Sequence, residues 1–125
     1  MTTDTTPTIA VVTAPQISEV TLDANTVAMT IVIPRDLDYF RGHFPSLAVL
    51  PGVVQLDWAL QYAKLYLDLA PAWARTLRIK FRRLIRPGDR LILTVTYRSA
   101  RDEIEFTFAG DDGLRSSGRI GLARP

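Results

Sequence analysis

The stretch from Pro51 to Ala70, PGVVQLDWALQYAKLYLDLA, decides the fold of this chain. It sits between two prolines, Pro51 and Pro71. Proline suits the first turn of a helix, where its missing N–H is no loss, and cannot continue one further along. The spacing predicts a helix opened by Pro51 and running to about Ala70. Val53, Val54, Leu56, Leu60, Leu65 and Leu69 fall on nearly every side of it. A helix apolar all round in a soluble chain is a buried one, so a sheet is expected to wrap it.

That sheet is legible on both sides of the helix. Upstream, Gln16 to Leu22 and Thr26 to Ile33 read as strands, the second with Val27, Met29, Ile31 and Ile33 alternating with smaller or polar neighbours. Asp23-Ala24-Asn25 is a short turn between them, which predicts a hairpin, and Arg35 to Leu50 is loop or a short helical turn. Downstream, Thr76 to Ile85, Arg90 to Ala100, Glu103 to Ala109 and Leu114 to Ala123 are strand-like, separated by Pro87-Gly88-Asp89, Arg101-Asp102 and Gly110 to Gly113. Two strands, one buried helix and four strands make an α+β chain of hot-dog architecture, an antiparallel sheet curled around one long helix. Residues 1–15, threonine-bearing and aperiodic, are expected to form a flexible tail, leaving 16–125 as the single domain.

Bulk composition narrows the function. A chain of 125 residues, 47% apolar and 22% charged, can bury a core without metal or disulfide help. A formal charge of +2 gives no warrant for nucleic acid. With no cysteine there is no disulfide framework, thiolate metal site or cysteine nucleophile. No basic leader and no long apolar run is present, so a cytoplasmic protein with no membrane span is expected.

The chemistry gathers around the helix. Tyr39-Phe40-Arg41-Gly42-His43-Phe44-Pro45 places the chain's one histidine in a loop bounded by Gly42 and Pro45 and flanked by two aromatics. Imidazole is the natural base near neutral pH, although a lone histidine is more often an ordinary loop or core residue. Asp57 lies on the helix beside Leu56, Trp58 and Leu60, where an unpaired charge is costly. Its ordinary alternative is a surface carboxylate near the positive end of the helix dipole. Gln61, at i+4, shares the face of Asp57 and is placed to orient it. The amides of Gly52 and Val53 begin the helix and point at any anion set there, or else at water. On a strand, Arg78, Lys80 and Arg82 share one face, a basic stripe that is either a solvated surface or a docking rim. It has no interleaved aromatics for nucleic-acid stacking.

Together Gly42-His43-Phe44-Pro45, Leu50-Pro51-Gly52-Val53, Asp57 and Gln61 resemble the signature of the 3-hydroxyacyl-ACP dehydratases of fatty-acid synthesis, with the same spacing between histidine and acid. A second similar stretch runs from Lys80-Phe81-Arg82-Arg83 to Pro87-Gly88-Asp89. The resemblance covers about Tyr39 to Leu91. Asp57 stands where the housekeeping members carry Glu and the dehydratase/isomerase branch carries Asp. Ala48 replaces a usual Pro and Trp58 a usual small residue. The run from Val53 to Ala59 looks closest to dehydratases of aryl-polyene and related pigment pathways.

The resemblance implies a catalytic pair, His43 as base and Asp57 as acid, with Gly52 and Val53 holding the enolate oxygen and Gln61 orienting. Phe44 and Trp58 would line the acyl tunnel. It also implies no cofactor and no metal, and a homodimer or higher assembly whose sites draw His43 and Asp57 from different subunits. The partner implied is an acyl carrier protein with a phosphopantetheine-linked substrate, met by Arg78, Lys80 and Arg82. Three other readings stay open: a hot-dog acyl thioesterase, an isomerase activity that accompanies dehydration, at which Asp57 hints, and a non-catalytic subunit that binds the acyl carrier.

Overall fold

The computed structural model describes residues 12–40 and 48–125. Strands β1 (Gln16–Asp23) and β2 (Thr26–Val32) form a hairpin, a 3-10 turn follows at Asp38–Phe40, and helix α1 covers Gly52–Tyr66. Strands β3 (Trp73–Phe81), β4 (Arg90–Arg98), β5 (Glu103–Gly110) and β6 (Gly113–Ala123) complete one six-stranded sheet of order β1-β2-β4-β5-β6-β3. Every neighbouring pair is antiparallel. This is the hot-dog arrangement predicted from the pattern.

Alternation in the central strands follows from the pleat, which sends successive side chains to opposite faces. Burial on β2 alternates through Val27, Met29 and Ile31, on β4 through Leu91, Leu93 and Val95, and on β5 through Ile104, Phe106 and Phe108. All of these point at α1, whose Val54, Trp58, Ala59, Tyr62 and Ala63 complete the core. Among the described residues no helix is long and apolar enough to cross a membrane.

Three expectations need correction. The helix ends at Tyr66, four residues short of Ala70, because Leu67 caps it and Asp68 turns into the left-handed region at φ 51°. Asp tolerates that conformation better than most residues. Leu67 and Leu69 still pack against the core, which is why they carried the apolar pattern past the helix end. The third long strand starts at Trp73 and stops at Phe81 rather than Ile85, because the Arg82 and Arg83 amides both turn to the carbonyl of Arg115. Finally, the sheet does not enclose α1 on every side, since Val53 and Leu65 are 71% and 66% exposed.

Most of the segment expected to be a tail, residues 1–11, lies outside the described residues. Its remainder packs on the body: Val12 touches the core, its carbonyl accepts the Asp38 amide at 2.8 Å, and the Thr13 carbonyl accepts the Trp58 indole N–H at 3.0 Å.

Pro87-Gly88-Asp89, from the second matching stretch, has a structural role. Gly88 sits at φ 84°, a glycine conformation, and its amide donates to Ile33 O at 2.7 Å while Asp89 O accepts the Ile33 amide at 2.9 Å. Arg115 braces the same turn by donating to Leu84 O and to the Asp89 carboxylate, both at 2.8 Å.

Where β6 crosses between β3 and β5, Gly118 leaves room for a ring. A Cβ there would lie 2.5 Å from Phe106 Cζ and closer still to the Arg78 carbonyl. Gly118→Ala is therefore expected to destabilise the fold by about 1–3 kcal/mol through overpacking. Urea unfolding beside wild type measures this, and an unchanged midpoint would mean that β3 yields freely.

Candidate active site on the open face of the helix

Helical spacing sorts the residues of α1 into two faces. Val53, Asp57, Gln61 and Leu65 recur every four residues, and all four are exposed. On the far side, Val54, Trp58, Ala59 and Tyr62 are buried. Asp57 therefore does not sit in an apolar pocket of its own chain, as its sequence neighbours suggested. Leu56 and Trp58 flank it in sequence but turn inward, since adjacent helical residues point about 100° apart. Gln61 lies one turn on, on the same face as expected.

The N-terminus of α1 is bare. Pro51, extended at φ −62° and ψ 148°, is the N-cap and provides no side-chain cap, and no acidic residue lies in the first turn. Val54 and Gln55 donate to Pro51 O at 3.1 and 3.2 Å, so the helix offers the Gly52 and Val53 amides no acceptor. One turn beyond them stands Asp57. Tyr62 carries the electrostatic imprint of this face: its hydroxyl is held above the ordinary tyrosine pKa by burial first, then by Tyr66 and Asp57.

The open face continues onto β3. Leu77 and Phe81 pair with Ile120 and Ser116, which are wholly buried, so both point to the helix side of the sheet. Yet β3 is an edge strand, and both remain more than half exposed, at 54% and 58%. Phe81 approaches the helix start closely enough that a Cβ on Gly52 would lie 2.5 Å from its ring. An apolar surface thus runs from Val53 past Phe81 to Leu77, beside the Asp57 carboxyl. Contiguous exposed apolar surface of this kind marks a binding face.

His43 and Phe44 fall within residues 41–47, outside the described residues. The chain beyond them is firmly fixed: the Leu50 amide donates to Ile85 O at 2.7 Å, and Leu50 O accepts Gln55 Nε2 at 3.1 Å. Trp58 is 0% exposed and belongs to the core.

Arg78, Lys80 and Arg82 are all exposed. Arg78 and Lys80 line an outer groove of about 400 Å³ with Glu105, Ser117 and Arg119, whereas Arg82 lies past the end of β3. Arg119, which the sequence reading missed, stands opposite Arg78 in the β3–β6 register. Only strand pairing brings it there, so the linear sequence held no signal for it. Gln55 was also missed: it is 2% exposed and hydrogen-bonded at both its amide nitrogen and its oxygen. A helical wheel would have found it, as the polar residue in the stripe of Ala59 and Tyr62.

Comparison with known proteins agrees with this frame. The family model for ApeI-like proteins, described as ApeI dehydratase, matches residues 19–119. The 3-hydroxyacyl-[acyl-carrier-protein] dehydratase FabZ of Oenococcus oeni is 38% identical over 74 residues, covering 54% of this chain and 53% of that protein. The match therefore spans about half the length of that relative. FabZ of Streptococcus pneumoniae serotype 4 is 32% identical over 96 residues, 68% of each chain. Among solved structures, the dehydratase heterocomplex ApeI:P from Xenorhabdus doucetiae superposes with TM-score 0.82 at 28% identity, covering 89% of this chain and 99% of that one. Thioesterase structures at 11–18% identity share the fold alone.

Proposed function

This chain belongs to the ApeI-like dehydratase family, and on that footing we propose that it removes water from a 3-hydroxyacyl thioester presented on an acyl carrier protein. The observation that carries this reading is the placing of Asp57 on the one open face of α1, a turn from two first-turn amides without a helical acceptor. An acid beside an anion-binding helix end is what elimination next to a thioester carbonyl requires.

In this mechanism His43 takes the proton from the carbon next to the thioester carbonyl. The electron pair moves onto the carbonyl oxygen, which the Gly52 and Val53 amides receive. As that charge returns to form the carbon–carbon double bond, the C–O bond to the 3-hydroxyl breaks and Asp57 protonates the departing oxygen. The products are water and a trans-2-enoyl thioester, and the proton on His43 returns to Asp57 through solvent. Both transfers are of protons, so the reaction calls for no metal or redox cofactor. Gln61 orients the Asp57 carboxyl, Phe44 and Trp58 line the acyl tunnel, and Arg78 and Lys80, with Arg82 beyond them, receive the acidic carrier.

The surface formed by Val53, Phe81 and Leu77 is proposed to be covered by a second copy of the chain, whose His43 completes the site. Covering this surface also removes the Asp57 carboxyl from water. A second reading replaces that copy with a different hot-dog subunit, because the Xenorhabdus relative is described as a heterocomplex. Light scattering on the purified chain decides between them: a dimer supports the first, a monomer that becomes active only with a second protein the other.

The test of the reaction itself is a 3-hydroxyacyl-carrier thioester followed by intact mass spectrometry. Loss of one water is the expected result. Release of the acyl group with a free carrier thiol would make the protein a thioesterase, and carrier binding without turnover would make it a non-catalytic subunit.

A further inference from the structure

The buried face of α1 holds one polar side chain that the mechanism above does not use. Gln55, 2% exposed, accepts a 2.6 Å hydrogen bond from Ser116 Oγ on β6 and donates at 3.1 Å to the carbonyl of Leu50. Ser116 is itself 0% exposed. An amide with both ends bonded to buried partners fixes position in a way that an apolar side chain cannot, because each bond has a direction. What it fixes matters. Leu50 ends the segment that leads from His43 to the helix, and its own amide is tied to Ile85 O at 2.7 Å. Gln55 therefore closes a chain of contacts from β6 through the first turn of α1 to Leu50 and on to the segment before β4. The Gly52 and Val53 amides lie inside that closed chain, between Leu50 and Gln55.

We infer that Gln55, through its bonds to Ser116 and Leu50, is a positioning residue that sets the first-turn amides of α1 and the backbone at Leu50 relative to Asp57. The inference rests on the dehydration reading for its rate effect but not for its structural effect. Gln55 touches no reacting atom. A misplacement of about 1 Å between groups that act together can cost on the order of 10²-fold in rate.

The test compares Gln55→Leu, Ser116→Ala and the double variant with wild type. Unfolding midpoints, kcat, KM and hydrogen exchange at the bonded amides of Leu50 and Val54 are measured for each. Single variants leave a buried partner unbonded and are expected to lose stability. The double variant removes the Gln55–Ser116 pair and leaves only the Leu50 carbonyl without its donor, so its midpoint is expected to recover towards wild type. Its kcat is nevertheless expected to stay about 10–100-fold low with KM within about two-fold, and its Leu50 and Val54 amides to exchange faster. Recovery of kcat together with stability in the double variant would reduce Gln55 to a core polar residue and overturn the inference. If wild type fails to dehydrate, the function falls, and the exchange arm still decides: unchanged exchange in Gln55→Leu overturns positioning, and faster exchange upholds it.

Discussion

His43→Ala and Asp57→Asn are each expected to lower the dehydration rate by on the order of 10²–10⁴-fold, the usual contribution of a positioned acid or base. Asp57 is the cleaner of the two, because it is exposed on the chain alone and its carboxyl makes no hydrogen bond among the described residues. Asn keeps its shape, so folding stability should change by no more than about 0.5 kcal/mol, as for other surface substitutions. Activity and stability then separate, which excludes unfolding as the cause of any loss. Mixing the two inactive proteins under subunit exchange carries the test further. If each site takes His43 from one subunit and Asp57 from its partner, a mixed dimer holds one intact site and one doubly defective site. Random pairing then restores about a quarter of wild-type activity. No recovery would mean that both residues come from the same chain, and an active Asp57→Asn protein would remove the aspartate from the mechanism.

The largest stability effect is expected at Trp58. Trp58→Ala should cost about 3–5 kcal/mol, as removal of a large buried aromatic leaves a cavity that the core refills only in part. Trp58 is the largest of the fully buried side chains, and its indole N–H is the bond that holds Thr13. Two readouts follow: a lower urea midpoint, and faster proteolysis upstream of Gln16, because the Thr13 anchor is gone. A loss below about 1 kcal/mol would show that the surroundings collapse onto the space, against the dense packing typical of such cores. The same substitution enlarges the space behind the proposed acyl site, so acceptance of longer or bulkier acyl chains would be consistent with Trp58 as the inner wall of the tunnel.

Order and kind of element were readable from sequence because they depend on local period. The alternation of Val27, Met29 and Ile31 and the turn chemistry of Pro87-Gly88-Asp89 are interactions between near neighbours. The helix end was misread because Leu67 and Leu69 extend an apolar pattern that belongs to core packing rather than to helix, and only the backbone at Asp68 separates the two. The surroundings of Asp57 were misread for a related reason. Leu56 and Trp58 border it in sequence, but a helix turns each about 100° away from it, onto buried sides.

By itself the sequence determined that this is one hot-dog chain with a histidine loop, a helix opened by Pro51 and an aspartate about a turn on. Those features rest on residue type and short spacing, which a linear chain states outright. Tertiary structure alone decided that the aspartate faces outward beside an edge strand, that Arg119 joins Arg78, and that Gln55 reaches Ser116 across 61 positions of chain. Each of these depends on which strand lies beside which and which side of the helix the sheet covers. Long-range pairing sets both, and no local pattern encodes it.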